Sequence, residues 1–205
     1  MMSSFSPIQF VAGLANPGKK YAKSRHNIGS WVVVALAKTA SLLFKEDARF
    51  QGLLAKLTID QQKCWLLIPT TYMNCSGRSV KTLARFYQLP PESILVVHDD
   101  LDLPPGIARF KYSGGEGGHN GLKDIVTQLG SRDFWRLRIG IGHPGHRDKV
   151  HDYVLSPPPL VEQQKIEQAI THTLALLLPF IQGGATGARQ RAIQTLHDFK
   201  PEEKK

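Results

Sequence analysis

Apolar residues fall into short runs and helical stripes that alternate along the chain. Residues 9–15 form an apolar run closed by Asn16-Pro17-Gly18, which predicts a strand leading into a turn. Ile28, Trp31, Val32, Ala35 and Leu36 then recur at helical spacing, and Leu42 and Leu43 resume it, so a helix is expected from His26-Asn27 onward. Residues 53–59 and 64–68 read as adjacent strands, followed by the loop Pro69-Thr70-Thr71-Tyr72-Met73-Asn74. Val80, Leu83, Ala84 and Tyr87 mark one face of a second helix, which Pro90-Pro91 ends.

Ile94-Leu95-Val96-Val97 is a continuous apolar run of strand length, as expected for a central strand covered on both faces, and it stops at His98-Asp99-Asp100. Another strand is expected over 107–111. Ser113-Gly114-Gly115-Glu116-Gly117-Gly118 reads as a flexible loop, leading into a helix with Leu122, Ile125, Val126 and Leu129 on one side. Trp135-Arg136-Leu137-Arg138-Ile139 alternates strictly, giving a strand with one apolar and one cationic face. Ile166, Ala169, Ile170, Leu174, Leu177 and Ile181 mark a long helix over 161–181, stopped by Gly183-Gly184, with Pro179 unsettling its last turn. A shorter helix reaches His197. Interleaved strands and helices predict an α/β single domain over 1–205, with a mixed, mostly parallel twisted sheet flanked by helices, an N-terminal extension at 1–8 and a charged tail at 201–205. Ligands of such sheets bind beyond the carboxyl ends of the strands, so the loops there are where function is sought.

Composition narrows the class. With 205 residues, 41% hydrophobic and 21% charged, the chain can bury a sizeable core without disulfides or metals. Lys and Arg number 26 against 17 Asp and Glu, for a net charge of +9, which favours a polyanionic partner such as nucleic acid or an anionic membrane. Cys64 and Cys75 are too few for a disulfide framework, so a reducing, cytoplasmic setting is expected. The first ten residues carry no basic group and no long apolar run, and no stretch approaches the roughly 20 apolar residues of a membrane span. A soluble enzyme or binding protein remains, and no membrane partner is expected.

The loops hold the candidate chemistry. Gly13-Leu14-Ala15-Asn16-Pro17-Gly18-Lys19 fits most of a phosphate-binding P-loop, but Lys20 stands where Ser or Thr must ligate magnesium. The same segment instead brings Asn16, Tyr21, Arg25 and His26 to the mouth of the sheet. His26 can act as a base near neutral pH, and Asp99, ending the central strand, is a candidate partner to orient its ring; Asp100 and Asp102 compete for that role. Asn74 and Asn120 lie in two further loops, where neutral amides can hold a carbonyl, hydroxyl or water. No Gly-x-Ser-x-Gly elbow is present and Cys75 is a lone thiol, so water is the expected attacker. His98-Asp99-Asp100-Leu101-Asp102 and Gly118-His119 offer possible metal ligands, yet neither His-Glu-x-x-His nor Cys-x-x-Cys spacing occurs, and no cofactor is expected. Arg136 and Arg138 share a strand face, as do Arg109 and Lys111; they read equally as a phosphate site and as a solvated face.

Taken in order, several blocks resemble the signature of bacterial peptidyl-tRNA hydrolases. They are Gly13-Leu14-Ala15-Asn16-Pro17-Gly18 with Tyr21 and Arg25-His26-Asn27-Ile28-Gly29, Pro69-Thr70-Thr71-Tyr72-Met73-Asn74-Cys75-Ser76-Gly77, His98-Asp99-Asp100-Leu101-Asp102-Leu103-Pro104, Gly117-Gly118-His119-Asn120-Gly121-Leu122-Lys123 and Arg138-Ile139-Gly140-Ile141-Gly142-His143-Pro144. The likeness runs from about residue 10 to residue 200. It implies hydrolysis of the ester between peptide and tRNA, with His26 as base and Asp99 as its partner. Asn16, Asn74 and Asn120 would line the cleft, Tyr21, Tyr72 and Met73 would touch substrate, and Lys111 with Arg138 would hold the tRNA 5′-phosphate. Neither a metal nor an obligate protein partner is implied, and a monomer is expected. Cys75, where a larger apolar residue is frequent, and Glu116 in the glycine-rich loop depart from the pattern. A noncatalytic RNA-binding relative of the same fold is the alternative; His26, Asp99 and the three asparagines argue against it.

Overall fold

The computed structural model describes residues 6–183 and 187–201. Its elements run β1 (Phe10–Gly13), α1 (Ile28–Thr39), β2 (Lys45–Asp47), β3 (Gly52–Ile59), β4 (Gln62–Pro69), α2 (Ser76–Phe86), β5 (Ile94–Asp100), β6 (Ala108–Tyr112), α3 (Asn120–Leu129), β7 (Trp135–Gly140), α4 (Val150–Leu155), α5 (Leu160–Gln182) and α6 (Ala188–Asp198). The strands form one seven-stranded sheet in the order β2-β3-β4-β1-β5-β7-β6. β4, β1, β5 and β7 are parallel, while β2, β3 and β6 pair antiparallel at the two edges.

Alternation along the central strands divides the core into two layers. Val11, Leu95 and Val97 face α1, α5 and α6, whereas Phe10, Ala12, Ile94 and Val96 face α2 and α3. A run such as Ile94-Leu95-Val96-Val97 is apolar throughout because both of its faces are covered. The α/β class, the parallel centre and the long helix follow expectation, and α5 runs on through Pro179 to Gln182. Proline is tolerated there because only the final turn loses a hydrogen bond. Gly184 and residues 202–205 of the expected tail lie outside the described residues, as do residues 1–5 of the expected extension. Ile8 is fully buried and its N–H donates to Ile181 O at 2.9 Å, so the described end of that extension joins the core.

Several local details depart from the sequence reading or resolve it. The first helix stops at Thr39, and Leu43 is exposed, because Ser41 takes a left-handed conformation (φ 53°) and Leu42 N–H bonds back to Ala37 O. This is a helix-ending motif in which serine stands where glycine is usual. β2 is a polar edge strand with no apolar alternation to announce it, and α4 is one short helix inside a loop. Of the two readings of the cationic face of β7, the solvated one does not hold at Arg136, which is 2% exposed.

Candidate functional site

The carboxyl ends of β1, β4, β5 and β7 open into a cleft of about 940 Å³, with Asn16, His26, Met73, Asp99, Asn120 and Arg138 among its walls. Two reciprocal bonds shape the loop after β1: Asn16 N–H donates to Asn27 Oδ1 (2.8 Å) and Asn27 Nδ2 donates to Asn16 O (2.9 Å). Gly29, in the first turn of α1, lies so close to the sheet that a Cβ on it would stand 2.3 Å from Val97 O. Glycine therefore lets α1 begin directly on β1 and β5, which carries His26 against the end of β5.

His26 and Asp99 meet there, 7% and 2% exposed. His26 Nδ1 is 2.9 Å from Asp99 Oδ1 and 3.0 Å from Oδ2, so it is the protonated nitrogen and donates to the carboxylate. Nε2 is left as a bare acceptor on the cleft side. Burial disfavours a protonated His26, but the charge and hydrogen bond of Asp99 outweigh it and hold its pKa above the ordinary 6.5. Burial likewise opposes an ionised Asp99, and the two imidazoles around it win, holding its pKa well below the usual carboxylate range. Of the three competing aspartates, Asp99 is selected by strand alternation. It follows Val97 on the side of β5 that packs against α1, while Asp100 turns to Arg138 and Asp102 is exposed.

A second histidine, not assigned to the base chemistry from sequence, completes the cluster. His119 caps α3: its Nδ1 accepts from Gly121 N–H (3.1 Å) and Leu122 N–H (3.3 Å). Its proton therefore sits on Nε2, which donates to Asp99 Oδ1 at 2.9 Å. Both rings touch one carboxylate, but His119 has no nitrogen left to accept a proton from a substrate. Histidine is an uncommon N-cap beside Ser, Thr, Asp and Asn, so helix signals in the sequence did not single it out. His98, directly beneath, donates from Nδ1 to Asp99 O (2.6 Å) and packs edge-on against His119. Burial, then the His119 ring, lower its pKa to about 3, so it stays neutral.

His26, Asp99 and His119 also form a possible metal trio, with ligand atoms within 4.8 Å of one another. The atoms concerned are engaged in hydrogen bonds to each other, and a cation could enter only by displacing the proton that the α3 cap fixes on His119 Nε2. The donor set fits an imidazole–carboxylate relay better than a metal centre.

The other expected residues surround this core. Asn16 Oδ1 accepts from Met73 N–H at 2.8 Å, which turns its Nδ2, a donor without a partner among the described residues, toward the cleft. Met73 is buried, Tyr72, Asn74 and Asn120 are exposed, Tyr21 is half-buried, and all line the opening. Lys111 and Arg138 lie on one face of adjacent strands, in the register Arg109↔Arg138 and Lys111↔Arg136. Arg138 Nε is 2.6 Å from Asp100 Oδ2; Lys111 is exposed and has no ion pair among the described residues. The other cations of this cluster do not join them. Arg136 donates to Gly114 O at 2.6 Å and to Gly115 O, pinning the glycine-rich loop, and Arg109 bonds Leu196 O at the end of α6. Arg25, expected at the mouth, is buried and tied to Ser156, Pro157 and Glu162.

The family model described as Peptidyl-tRNA hydrolase matches residues 10–203. The chain belongs to the peptidyl-tRNA hydrolase family. The peptidyl-tRNA hydrolase of Nitrosospira multiformis is 52% identical over 193 residues, 94% of this chain and 99% of that one. That of Vibrio cholerae serotype O1 (strain M66-2) is 50% identical over 197 residues, 96% and 98% of the two chains. The crystal structure of peptidyl-tRNA hydrolase from Acinetobacter baumannii superposes with a TM-score of 0.90 at 43% identity, covering 95% of this chain and 97% of that one. Among the described residues, no helix is long and apolar enough to cross a membrane.

Proposed function

We infer that the cleft hydrolyses the ester joining a peptide, or an N-blocked amino acid, to tRNA, with water as the attacking group. The protein is a carboxylic ester hydrolase of translation, and the noncatalytic alternative is not favoured. The observation that carries the chemistry is the buried contact between His26 Nδ1 and Asp99, which leaves Nε2 free in the cleft. Nε2 takes a proton from water as that water attacks the ester carbonyl, and Asp99 stabilises the imidazolium that forms. The same imidazolium then returns the proton to the ribose oxygen that leaves. Asn16 Nδ2, whose orientation Met73 N–H sets, supplies a neutral donor for the developing oxyanion. Asn74 and Asn120 position the peptide and the tRNA end, and Tyr21, Tyr72 and Met73 give the apolar and aromatic surface against which they rest.

Lys111 and Arg138 hold the 5′-phosphate of the tRNA, as two cations beside the same cleft suit a doubly charged group. The enzyme acts as a monomer in the cytoplasm and needs no metal. Release of N-acetyl-aminoacyl residues from tRNA, measured with and without chelator, tests the reading. Chelator-insensitive turnover that disappears in His26→Ala is the expected result, and turnover that survives in that variant sinks it.

A further inference from the structure

We propose that His119 is a positioning residue for the His26–Asp99 pair, a one-way donor whose tautomer is set by the first turn of α3. The proposal rests on His26 being the base and concerns how its partner is held. Four contacts carry it. Gly121 and Leu122 N–H point at His119 Nδ1, at 3.1 and 3.3 Å, and a nitrogen that accepts two backbone donors carries no proton. Nε2 must then be the N–H, and it faces Asp99 Oδ1 at 2.9 Å, the same oxygen that lies 2.9 Å from His26 Nδ1. A free imidazole can exchange tautomers and turn from donor to acceptor. One that caps a helix cannot do so without orphaning two backbone donors.

The consequence is geometric. Asp99 accepts from two rings that approach from different sides, one from the start of α1 and one from the start of α3, so its carboxylate has no rotation that keeps both bonds. His119 thereby keeps the carboxylate turned onto His26. The neighbouring position is packed closely against the ring: a Cβ on Gly121 would stand 2.6 Å from Met73 Sδ, 2.9 Å from Leu14 Cδ1 and 3.1 Å from His119 Cε1, so a larger residue there would have to displace these side chains. The charged or titratable groups near the pair are His98 from β5, itself neutral, and Asp100, which is paired with Arg138 of β7. Arg147 and His151 stand on another wall of the cleft, and Arg25 is turned away to Glu162.

Two substitutions separate the functions of the ring. In His119→Asn the amide oxygen sits where Nδ1 stood and keeps the cap, but no donor reaches Asp99. In His119→Gln the amide extends to where Nε2 stood and restores a donor, while the cap is weakened. The Asn variant should keep its Tm and its KM within about twofold and lose about tenfold in kcat, the scale at which removing an orienting partner acts on metal-bound histidines. Its acid limb of kcat/KM should move to higher pH, because Asp99, relieved of one donor, puts more of its charge on His26. The Gln variant should melt a few degrees lower yet retain more kcat than the Asn variant. A cap alone predicts an Asn variant with parental kcat and an unmoved limb, and that result overturns the proposal, as does a loss confined to KM. Turnover surviving in His26→Ala would instead remove the base on which the proposal rests.

Discussion

Replacing Asp99 by Asn exchanges one carboxylate oxygen for an amide NH2 with little change in volume, and its effect can be worked from the hydrogen bonds. The carboxylate accepts from His26 Nδ1–H on both oxygens and from His119 Nε2–H on Oδ1. Asparagine offers one acceptor oxygen. Placed at the Oδ1 position, it serves both rings, but its NH2 then lies about 3.0 Å from His26 Nδ1, donor against donor. His119 cannot yield, because its Nδ1 is held by α3. His26 yields instead, moving its proton to Nε2, where the base should be empty. The imidazolium formed during attack also loses its counter-charge. Together these remove most of what a positioned base contributes, so kcat should fall by about 10³, or about 4 kcal/mol of barrier.

The pH dependence has a definite sign. In the parent, Asp99 raises the pKa of His26 against the effect of burial, so activity should rise with pH through a midpoint above 6.5. Without the charge, burial alone remains and the midpoint should fall below 6.5. Single-turnover release of an N-blocked aminoacyl-tRNA across pH gives both quantities, and 15N chemical shifts of His26 report the tautomer directly. Substrate binding should stay within about twofold. An Asn variant with near-parental kcat, or one whose midpoint remains above 6.5, would refute the assignment of Asp99.

His26→Ala should abolish hydrolysis while tRNA binding by filter retention stays close to parental, since the ring acts on water. Lys111→Ala with Arg138→Ala should weaken binding of full tRNA and flatten the slope of log K against log salt by about two, while a minimal ester of the terminal nucleotide is cleaved as before. Equal loss on both substrates would point instead to a disturbed cleft, because Arg138 also holds Asp100. Gly29→Ala should cost about 3 kcal/mol in denaturant unfolding, the upper range for overpacking, because its methyl meets Val97 O and Leu14 N rather than a movable side chain.

What could be read in the sequence was what periodicity and family motifs encode. The Ile94-Leu95-Val96-Val97 run announced a strand covered on both faces, and the loop residues Asn16, His26, Asn74, Asp99 and Asn120 all line the cleft. Polar edge strand β2 left no apolar trace, and the end of α1 at Ser41 lacked the usual glycine. The division of labour among the cations was hidden for a related reason. Strand alternation places Arg136 and Arg138 on one face, but only the fold shows that the glycine-rich loop covers that face and takes up Arg136. His119 stood out in the sequence only as a possible metal ligand beside Asn120, because its place in the cluster depends on a cap bond and on a carboxylate twenty residues away in sequence.

The location of the cluster follows from strand order. From β1 the chain crosses to β4 on one side, and after α2 it returns to β5 on the other, so the connections after β1 and β5 part in opposite directions. A crevice necessarily opens where two adjacent parallel strands send their chains apart. Asn16 follows one of these strands and Asp99 ends the other. Helices on both faces start at this edge, α1 just after His26 and α3 just after His119, which is why two imidazoles can reach one carboxylate from different elements. Asn120 opens α3 next to its histidine cap, so the helix that lines the cleft is also the one that orients Asp99. On the proposed roles, substrate contact and carboxylate geometry are joined through a single backbone turn, and a change at either Met73 or Gly121 should be felt at His26.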